Sequence, residues 1–329
     1  MRFFNTEGPN VAEDHYSLPP LQRWDLEEIR TLMDQKKYFL LHAPRQTGKT
    51  TCLLALADDL NREGRYRAVY ANIEGAQAYR EQVDKGMAVV VEQISRGARD
   101  QLGDAGAAAL GREVIAASTG GTMVEEFLAQ WCAQSPLPVV LLLDEVDALV
   151  GDTLISLLRQ LRAGYPKRPG QSPQTVILCG VRDLRDYRIH ASSESAVITG
   201  GSAFNIKAES LRLGDFNAAE VRALLQQHTS ETGQVFTPEA LEAVWTLTLG
   251  QPWLINALAY EACFRMRDGR DRSQPITVER IQQAKENLIL RRVTHLDQLA
   301  HKLQEARVRR VIEPMLAGRA MAEVPEEDR

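Results

Sequence analysis

The segment Ala43–Thr50, with the sequence APRQTGKT, constrains the fold of this chain more than any other part of it. It follows the apolar run Tyr38–Leu41 and precedes helical spacing of apolar residues from Thr50 to Asn61. The pattern is that of a phosphate-binding loop, GxxxxGK[ST], with Ala43 at the first glycine position. A strand, a tight turn and a helix in this order predict a site where backbone N–H groups and a positive helix end face an anion.

The residue types in this loop predict individual roles. Gly48 permits close approach of the backbone, Lys49 is expected to contact the β- and γ-phosphates, and the Thr50 hydroxyl is expected to bind Mg²⁺. Thr51 is placed to reach the α-phosphate. The predicted nucleotide contacts in this segment are Pro44, Arg45, Gln46, Thr47, Gly48, Lys49, Thr50 and Thr51. A plain turn with a surface lysine is the competing interpretation, and Ala43 departs from the pattern because alanine adopts positive φ less readily than glycine.

Two acidic residues end a second apolar run, Val139–Leu143. An apolar strand followed by acids is typical of a Walker B motif, in which Asp144 would hold the Mg²⁺ shell and Glu145 would polarise the attacking water. Buried strands also end in acids that are merely solvated, so the motif is informative mainly through its distance along the chain from the phosphate loop. Asp144 lies 95 residues beyond Lys49, which predicts a sheet with an added strand between the two motif strands. Asp147 is interpreted as a cap of the next turn.

The apolar run Thr175–Gly180 is predicted to be the neighbour of the phosphate-loop strand. Beyond it, Arg182 is placed where a polar sensor would contact the γ-phosphate, as part of the catalytic set with Glu145 and Lys49. A solvated, self-paired charge run is the alternative for this stretch. Phe204–Ile206 is a candidate fifth strand.

Strands alternating with helices predict an α/β core with a parallel sheet sandwiched by helices. After residue 210 the pattern becomes helical, with segments at 217–229, 238–248, 252–267, 277–291 and 294–317. The expected organisation is a P-loop core over 1–210, an all-α lid over 211–291, and a C-terminal helix and tail over 292–329.

The phosphate loop, the Leu143–Glu145 strand end and the segment Gly250–Trp253 together resemble AAA-like ATPases. Within that group the sequence is most similar to bacterial AAA-like and archaeal-ATPase-type proteins, which are allied to the STAND NTPases. The resemblance implies an AAA-like fold that binds ATP with Mg²⁺, a lid in which Pro252 approaches the adenine, and a lead-in that brings Arg23 near the ligand. It also implies that 292–329 is a remnant of a winged helix. An ordinary helix start at Gly250–Pro252 and a packed N-terminal arm are the alternatives.

Charge and composition exclude several classes of protein. The 39 basic and 44 acidic side chains leave a net charge of −5, so a generally basic coat for nucleic acid is excluded. A local basic stretch remains at 291–310, where Arg291, Arg292, Lys302, Arg307, Arg309 and Arg310 face only Asp297 and Glu305. Four well-separated cysteines predict free thiols, and with no long apolar segment we expect a soluble, cytoplasmic protein.

The leading functional hypothesis is an ATPase switch with ATP and Mg²⁺ as ligands, acting on a protein partner or on its own copies. One alternative is a nucleic-acid-binding ATPase of a DNA-linked or defence system, which would use 291–310. Another is a scaffold that holds nucleotide without turnover. A metabolite kinase is a further option that the pair Asp144 and Glu145 and the helical C-terminal half make less suitable.

Overall fold

The computed structural model describes residues 1–181 and 209–291. These residues form two compact units. One is Leu18–Phe216, and the other joins Met1–Ser17 to the chain from Asn217 onward.

The first unit contains a parallel sheet that has five strands within the described residues. The strands are β1 (Phe39–His42), β2 (Arg67–Asn72), β3 (Val139–Asp144), β4 (Thr175–Gly180) and β5 (Ser210–Arg212), in the order β2-β3-β4-β1-β5. β4 pairs with β1 through Leu41 and Cys179, and with β3 through Leu141 and Val176. β4 is therefore the predicted neighbour of the phosphate-loop strand β1. It also lies between β1 and β3, the two motif strands, so both predictions are confirmed.

Helices cover both faces of this sheet. α1 (Leu26–Asp34) and α2 (Lys49–Glu63) pack on one face, and α3 (Val83–Leu102), α4 (Ala105–Ala117), α5 (Met123–Gln134) and α6 (Asp152–Gly164) pack on the other. The strands are apolar without alternation because both faces are buried: Leu141 contacts the α3–α6 side, and Leu142 contacts the α1–α2 side. The predicted α/β class with helices on both faces is confirmed.

α4 is a helix that the sequence analysis left unassigned. Its buried stripe consists of Ala107, Leu110, Gly111 and Val114. These positions have helical spacing, but two of them are occupied by alanine and glycine. A search for large apolar residues at that spacing therefore finds too few of them.

The second unit is helical. Its helices within the described residues are α7 (Ala218–Thr232), α8 (Pro238–Thr248), α9 (Pro252–Tyr260) and α10 (Val278–Leu290). The helix predicted over 252–267 keeps α-helical winding only to Tyr260 and continues as a π turn over Glu261–Arg265. The Glu261 carboxylate in this turn is buried and accepts hydrogen bonds from Asn287 Nδ2 at 2.9 Å and Arg291 Nη1 at 2.7 Å.

The N-terminal segment Met1–Ser17 packs with these helices, whereas the sequence analysis assigned it to the core. Phe4 and Tyr16 are fully buried, and the Tyr16 hydroxyl lies 3.2 Å from Nδ1 of His228 on α7. The Trp253 indole N–H donates to the Thr6 carbonyl at 3.0 Å. The burial of the Phe4 and Tyr16 rings and these polar contacts explain why Met1–Ser17 belongs to the helical unit.

Several predicted features lie outside the described residues: Arg182, the strand at Phe204–Ile206, the helix at 294–317, and all of the basic stretch except Arg291. The described fifth strand of the sheet is Ser210–Arg212, directly beside β1. None of the helices in the described part of the chain combines the length and apolar character that crossing a bilayer requires.

Candidate functional site

The loop between β1 and α2 forms the centre of the candidate site. β1 ends at His42, and α2 begins at Lys49 with Gly48 as its N-cap residue. Gly48 has φ +88°, a left-handed conformation that glycine adopts without steric cost. Ala43 is fully buried and is not among the residues with positive φ, so alanine at this position needs no glycine-like freedom.

The Lys49 side chain lies inside the loop and is only 6% exposed. Its Nζ donates hydrogen bonds to the carbonyl oxygens of Ala43 and Pro44, both at 3.0 Å. The Thr47 hydroxyl donates to the same Pro44 oxygen at 2.9 Å. These contacts place a cation beside the backbone N–H groups at the start of α2, where the helix dipole also favours an anion.

A hydrogen bond joins the loop to the end of β3. The Thr50 hydroxyl donates to Asp144 Oδ2 at 2.7 Å, and Asp144 is fully buried. The backbone N–H of Glu145 donates to Asp144 Oδ1 at 2.9 Å. A hydroxyl and a carboxylate held together in this way are hard oxygen ligands of the kind that Mg²⁺ prefers.

Glu145 follows Asp144 in an unusual backbone conformation. It has φ +59° and ψ +38°, in the left-handed region that non-glycine residues seldom occupy. Burial raises the pKa of Glu145, and the nearby carboxylates of Asp144 and Asp147 raise it further, while Lys49 lowers it. A strained, partly buried carboxylate with an elevated pKa is typical of a catalytic base.

Arg23 contacts the loop from the segment that precedes α1. Its guanidinium donates to the carbonyl oxygens of Thr47 and Gly214, and it stacks over the Phe216 ring with 4.6 Å between the guanidinium carbon and the ring centroid. A Cβ atom built on Gly48 would lie 2.9 Å from Arg23 Nη1. Arg23 thus lies against the phosphate loop, and its approach to the ligand stays a prediction of the sequence resemblance.

The family model for the AAA domain matches residues 29–187, which is just under half of the chain. This match covers the loop, the Asp144–Glu145 strand end and the strands β1 to β4. This segment, called the AAA domain below after the model that it matches, has the fold of a P-loop NTPase. Its fold therefore belongs to the class of nucleotide-binding ATPase domains.

Solved structures show the same fold. The Walker-type ATPase of Pyrococcus abyssi is 15% identical, with a TM-score of 0.58, over 98% of this chain and 89% of that one. Cdc6p of Pyrobaculum aerophilum is 14% identical, with a TM-score of 0.54, over 81% of this chain. The ORC2 protein of Aeropyrum pernix is 15% identical, with a TM-score of 0.52, over 82% of this chain and 69% of that one.

The match spans 65% of the Cdc6p chain, slightly less than two thirds of its length. Among curated proteins, none matches this sequence. The comparisons therefore support the fold of the AAA domain.

The AAA domain brings together most of the residues that the sequence predicted for the site. Within the phosphate loop, Thr47 and Lys49 are buried, whereas Pro44, Arg45 and Gln46 are exposed. Thr50 and Thr51 lie in the first turn of α2. Pro252 lies in the helical unit, at the first position of α9, where Gln251 caps the helix by accepting from the Leu254 N–H at 2.6 Å.

Three residues of the site escaped the sequence analysis or were set aside. Tyr70 and Asn72 lie in β2, where Asn72 is in register with Asp144. The Tyr70 hydroxyl donates to Asp144 Oδ2 at 3.1 Å, and burial and this carboxylate raise the pKa of Tyr70 well above its ordinary value. Asp147, interpreted as a turn cap, has a buried Oδ1 that meets no hydrogen-bond donor in the described part of the chain.

The position of Tyr70 and Asn72 in β2 is the signal that would have found them. They lie in the carboxyl-terminal half of the strand that pairs with β3, and the carboxyl ends of parallel strands meet at one edge of the sheet.

Proposed function

We propose that this protein binds Mg-ATP and hydrolyses it, and that the nucleotide drives a conformational switch between the AAA domain and the helical lid. The observation that carries the proposal is the 2.7 Å hydrogen bond from Thr50 to Asp144, which pairs the two Mg²⁺-binding residue types of a P-loop ATPase. Kinship with STAND NTPases is part of the same proposal.

The residues of the loop fit a triphosphate and its metal. Gly48 leaves the backbone open to a phosphate, and the Lys49 ammonium, which now contacts two loop carbonyls, would move to the β- and γ-phosphate oxygens. Thr50 and Asp144 would hold Mg²⁺, which neutralises charge on the phosphates when it is bound. We choose an adenine nucleotide because the structurally similar ORC2 protein was solved with ADPNP and ADP.

Hydrolysis requires a base for the attacking water, and Glu145 supplies it in this proposal. Asp144 is committed to hydrogen bonds with Thr50 and with the Glu145 N–H, whereas the Glu145 carboxylate is half-buried beside them. The raised pKa of Glu145 brings its basicity closer to neutral pH. Since only the ionised form accepts a proton, we expect turnover to fall as the pH decreases toward that pKa. Arg182 is proposed as the residue that contacts the γ-phosphate.

The switch rests on the lid. We propose that Pro252 approaches the adenine when ATP is bound, and that the lid is released after hydrolysis. ATP drives this change only if it binds the closed arrangement more tightly than the open one.

Steady-state phosphate release from Mg-ATP tests the proposal, with wild type and Glu145→Gln measured side by side. We expect Glu145→Gln to retain nucleotide binding and to lose turnover by on the order of a hundredfold or more. Lys49→Ala should lose nucleotide affinity as well as turnover. Unchanged affinity and turnover in Lys49→Ala would contradict the proposal.

Glu74→Gln is the matched control for Glu145→Gln. Glu74 is exposed and contributes to the field at Glu145, so the variant removes one negative charge near the site without removing the base. Its turnover should stay within a small factor of wild type.

Nucleotide binding without turnover in wild type would favour the scaffold hypothesis.

A DNA-linked ATPase is the second candidate function, and it rests on the charge of 291–310. Arg291, the part of that stretch which the structure describes, donates to the buried Glu261 carboxylate at 2.7 Å. This ion pair commits one of the arginines to the helical unit. Stimulation of phosphate release by duplex DNA, with affinity that falls steeply as salt rises, would support this function.

A protein partner or self-association is proposed as the output of the switch. A cytoplasmic location is also part of the proposal, since all four cysteines are buried free thiols and such thiols are typical of a reducing compartment.

A further inference from the structure

Tyr70 lies on the strand next to the Walker B strand. β2 and β3 are parallel and in register, with Tyr70 opposite Leu142 and Asn72 opposite Asp144. Residues two apart on a strand share a face, so Tyr70 lies on the same side of the sheet as Asp144. Its ring packs against the apolar cluster beneath α2, and its hydroxyl reaches Asp144 Oδ2 at 3.1 Å.

The hydrogen bonds of Asp144 show what Tyr70 contributes. A carboxylate has about four acceptor positions. Oδ1 accepts from the Glu145 N–H at 2.9 Å, and Oδ2 accepts from Thr50 at 2.7 Å and from Tyr70. Asp144 is fully buried, and the oxygens of a buried carboxylate need such donors as hydrogen-bond partners, which also fix its orientation.

The three donors have different roles. The Glu145 N–H belongs to the backbone, and the Thr50 hydroxyl is itself a proposed Mg²⁺ ligand. The phenol of Tyr70 is held by the strand and by its apolar contacts. Of the two hydroxyl groups that donate to Asp144, Thr50 and Tyr70, the Tyr70 phenol is the one with no proposed contact to nucleotide or metal.

We propose that Tyr70 is a positioning residue that orients the Asp144 carboxylate for Mg²⁺. The inference rests on the proposed function, because it assumes that Asp144 holds the metal of a Mg-nucleotide. Groups that hydrogen-bond to metal-binding carboxylates commonly change metal affinity by about 10–100-fold when removed. Tyr70 therefore acts on the metal and contributes little to the binding of metal-free nucleotide.

The test compares Tyr70→Phe with wild type in a binding assay that needs no turnover. Affinity for a fluorescent ADP analogue is measured in EDTA and again in saturating Mg²⁺, and the ratio of the two affinities is the readout. We expect Tyr70→Phe to bind the analogue in EDTA within about twofold of wild type. The enhancement by Mg²⁺ should be lower by on the order of tenfold. Direct titration of the ADP-loaded protein with Mn²⁺, followed by electron paramagnetic resonance, should show the same loss of metal affinity.

Tyr66→Phe is the matched control. The Tyr66 hydroxyl donates to the Asp34 carboxylate at 2.8 Å, so this variant also removes one bond between a tyrosine and a carboxylate. Tyr66 directly precedes β2, about 13 Å from Tyr70 along the strand direction. We expect its Mg²⁺ enhancement to equal that of wild type.

Three outcomes separate the possibilities. An unchanged Mg²⁺ enhancement in Tyr70→Phe overturns the inference and leaves the proposed function intact. An equal loss in Tyr66→Phe also overturns it, since the effect would then come from general destabilisation. Absence of nucleotide binding by folded wild type would overturn the proposed function itself, and the inference with it.

Discussion

At the scale of single residues, Gly48 shows how local conformation and function coincide in the phosphate loop. Its φ of +88° is unfavourable for residues with a Cβ atom. The Arg23 guanidinium, which is held by the Thr47 and Gly214 carbonyls, would lie 2.9 Å from that Cβ. A side chain at position 48 would therefore strain the turn and disturb the surface that faces the phosphate.

We predict that Gly48→Ala loses nucleotide affinity by more than about tenfold and stability by about 1 kcal/mol. The affinity falls because the added methyl group displaces Arg23 and the backbone N–H groups of the loop. Fluorescence titration with a nucleotide analogue and urea unfolding would measure the two effects.

Gly64→Ala is the control at the other end of α2. Gly64 has φ +73°, and a Cβ atom there would meet nothing within 4 Å. This variant should show a similar loss of stability and wild-type nucleotide affinity. Equal losses of affinity in both variants would show that helix strain, rather than the loop surface, controls binding.

At the scale of secondary structure, α7 is the one described helix of the helical unit that begins with a reciprocal capping box. The Asn217 side chain accepts from the Glu220 N–H at 3.0 Å, and the Glu220 carboxylate accepts from the Asn217 N–H at 2.7 Å. This reciprocal capping box satisfies two N–H groups that a helix start otherwise leaves without partners. It also marks the point, at Asn217, where the chain returns to the helical unit.

We predict that Asn217→Ala destabilises the helical unit by about 1–2 kcal/mol, because both bonds of the box are lost. Thermal or urea unfolding followed by circular dichroism would measure it. Thr277→Ala at the start of α10 is the comparison, since Thr277 accepts a single, longer hydrogen bond from the Arg280 N–H at 3.5 Å. Its effect should be smaller, and a larger effect than that of Asn217→Ala would contradict the capping argument.

At the scale of the whole molecule, the first 17 residues belong to the helical unit although the 199 residues of Leu18–Phe216 separate them from its helices. Phe4 is fully buried among Tyr16, His228 and Phe264, with ring centroids 4.8, 5.7 and 6.3 Å away. Phe3, next to it, is 37% exposed. The helical unit therefore has a core to which both ends of the described chain contribute.

We predict that Phe4→Ala destabilises the helical unit by about 3–5 kcal/mol, as expected when a buried phenylalanine is replaced by alanine. Phe3→Ala should cost about 1 kcal/mol or less, because the ring is partly solvated. Unfolding of the two variants, monitored by circular dichroism, checks the difference. Similar small losses in both would show that the N-terminal segment is not part of that core.

These scales differ in how much could be predicted from the sequence. The phosphate loop, the ends of β3 and β4 and the alternation of strands and helices were predictable because each depends on residues adjacent in the chain. The helix α4 was not, since its buried stripe uses alanine and glycine. The left-handed conformation of Glu145 was also not predictable, because nothing in its side chain requires it.

The sequence alone determined the class of the fold, the position of the phosphate loop and the acidic end of β3. These follow from short patterns whose chemistry is local. The tertiary structure decided which distant residues join them: Tyr70 beside Asp144, Arg23 against Thr47, and Phe4 in the helical unit. The physical reason is that such contacts depend on strand register and side-chain packing between segments, which apolar periodicity along one segment does not encode.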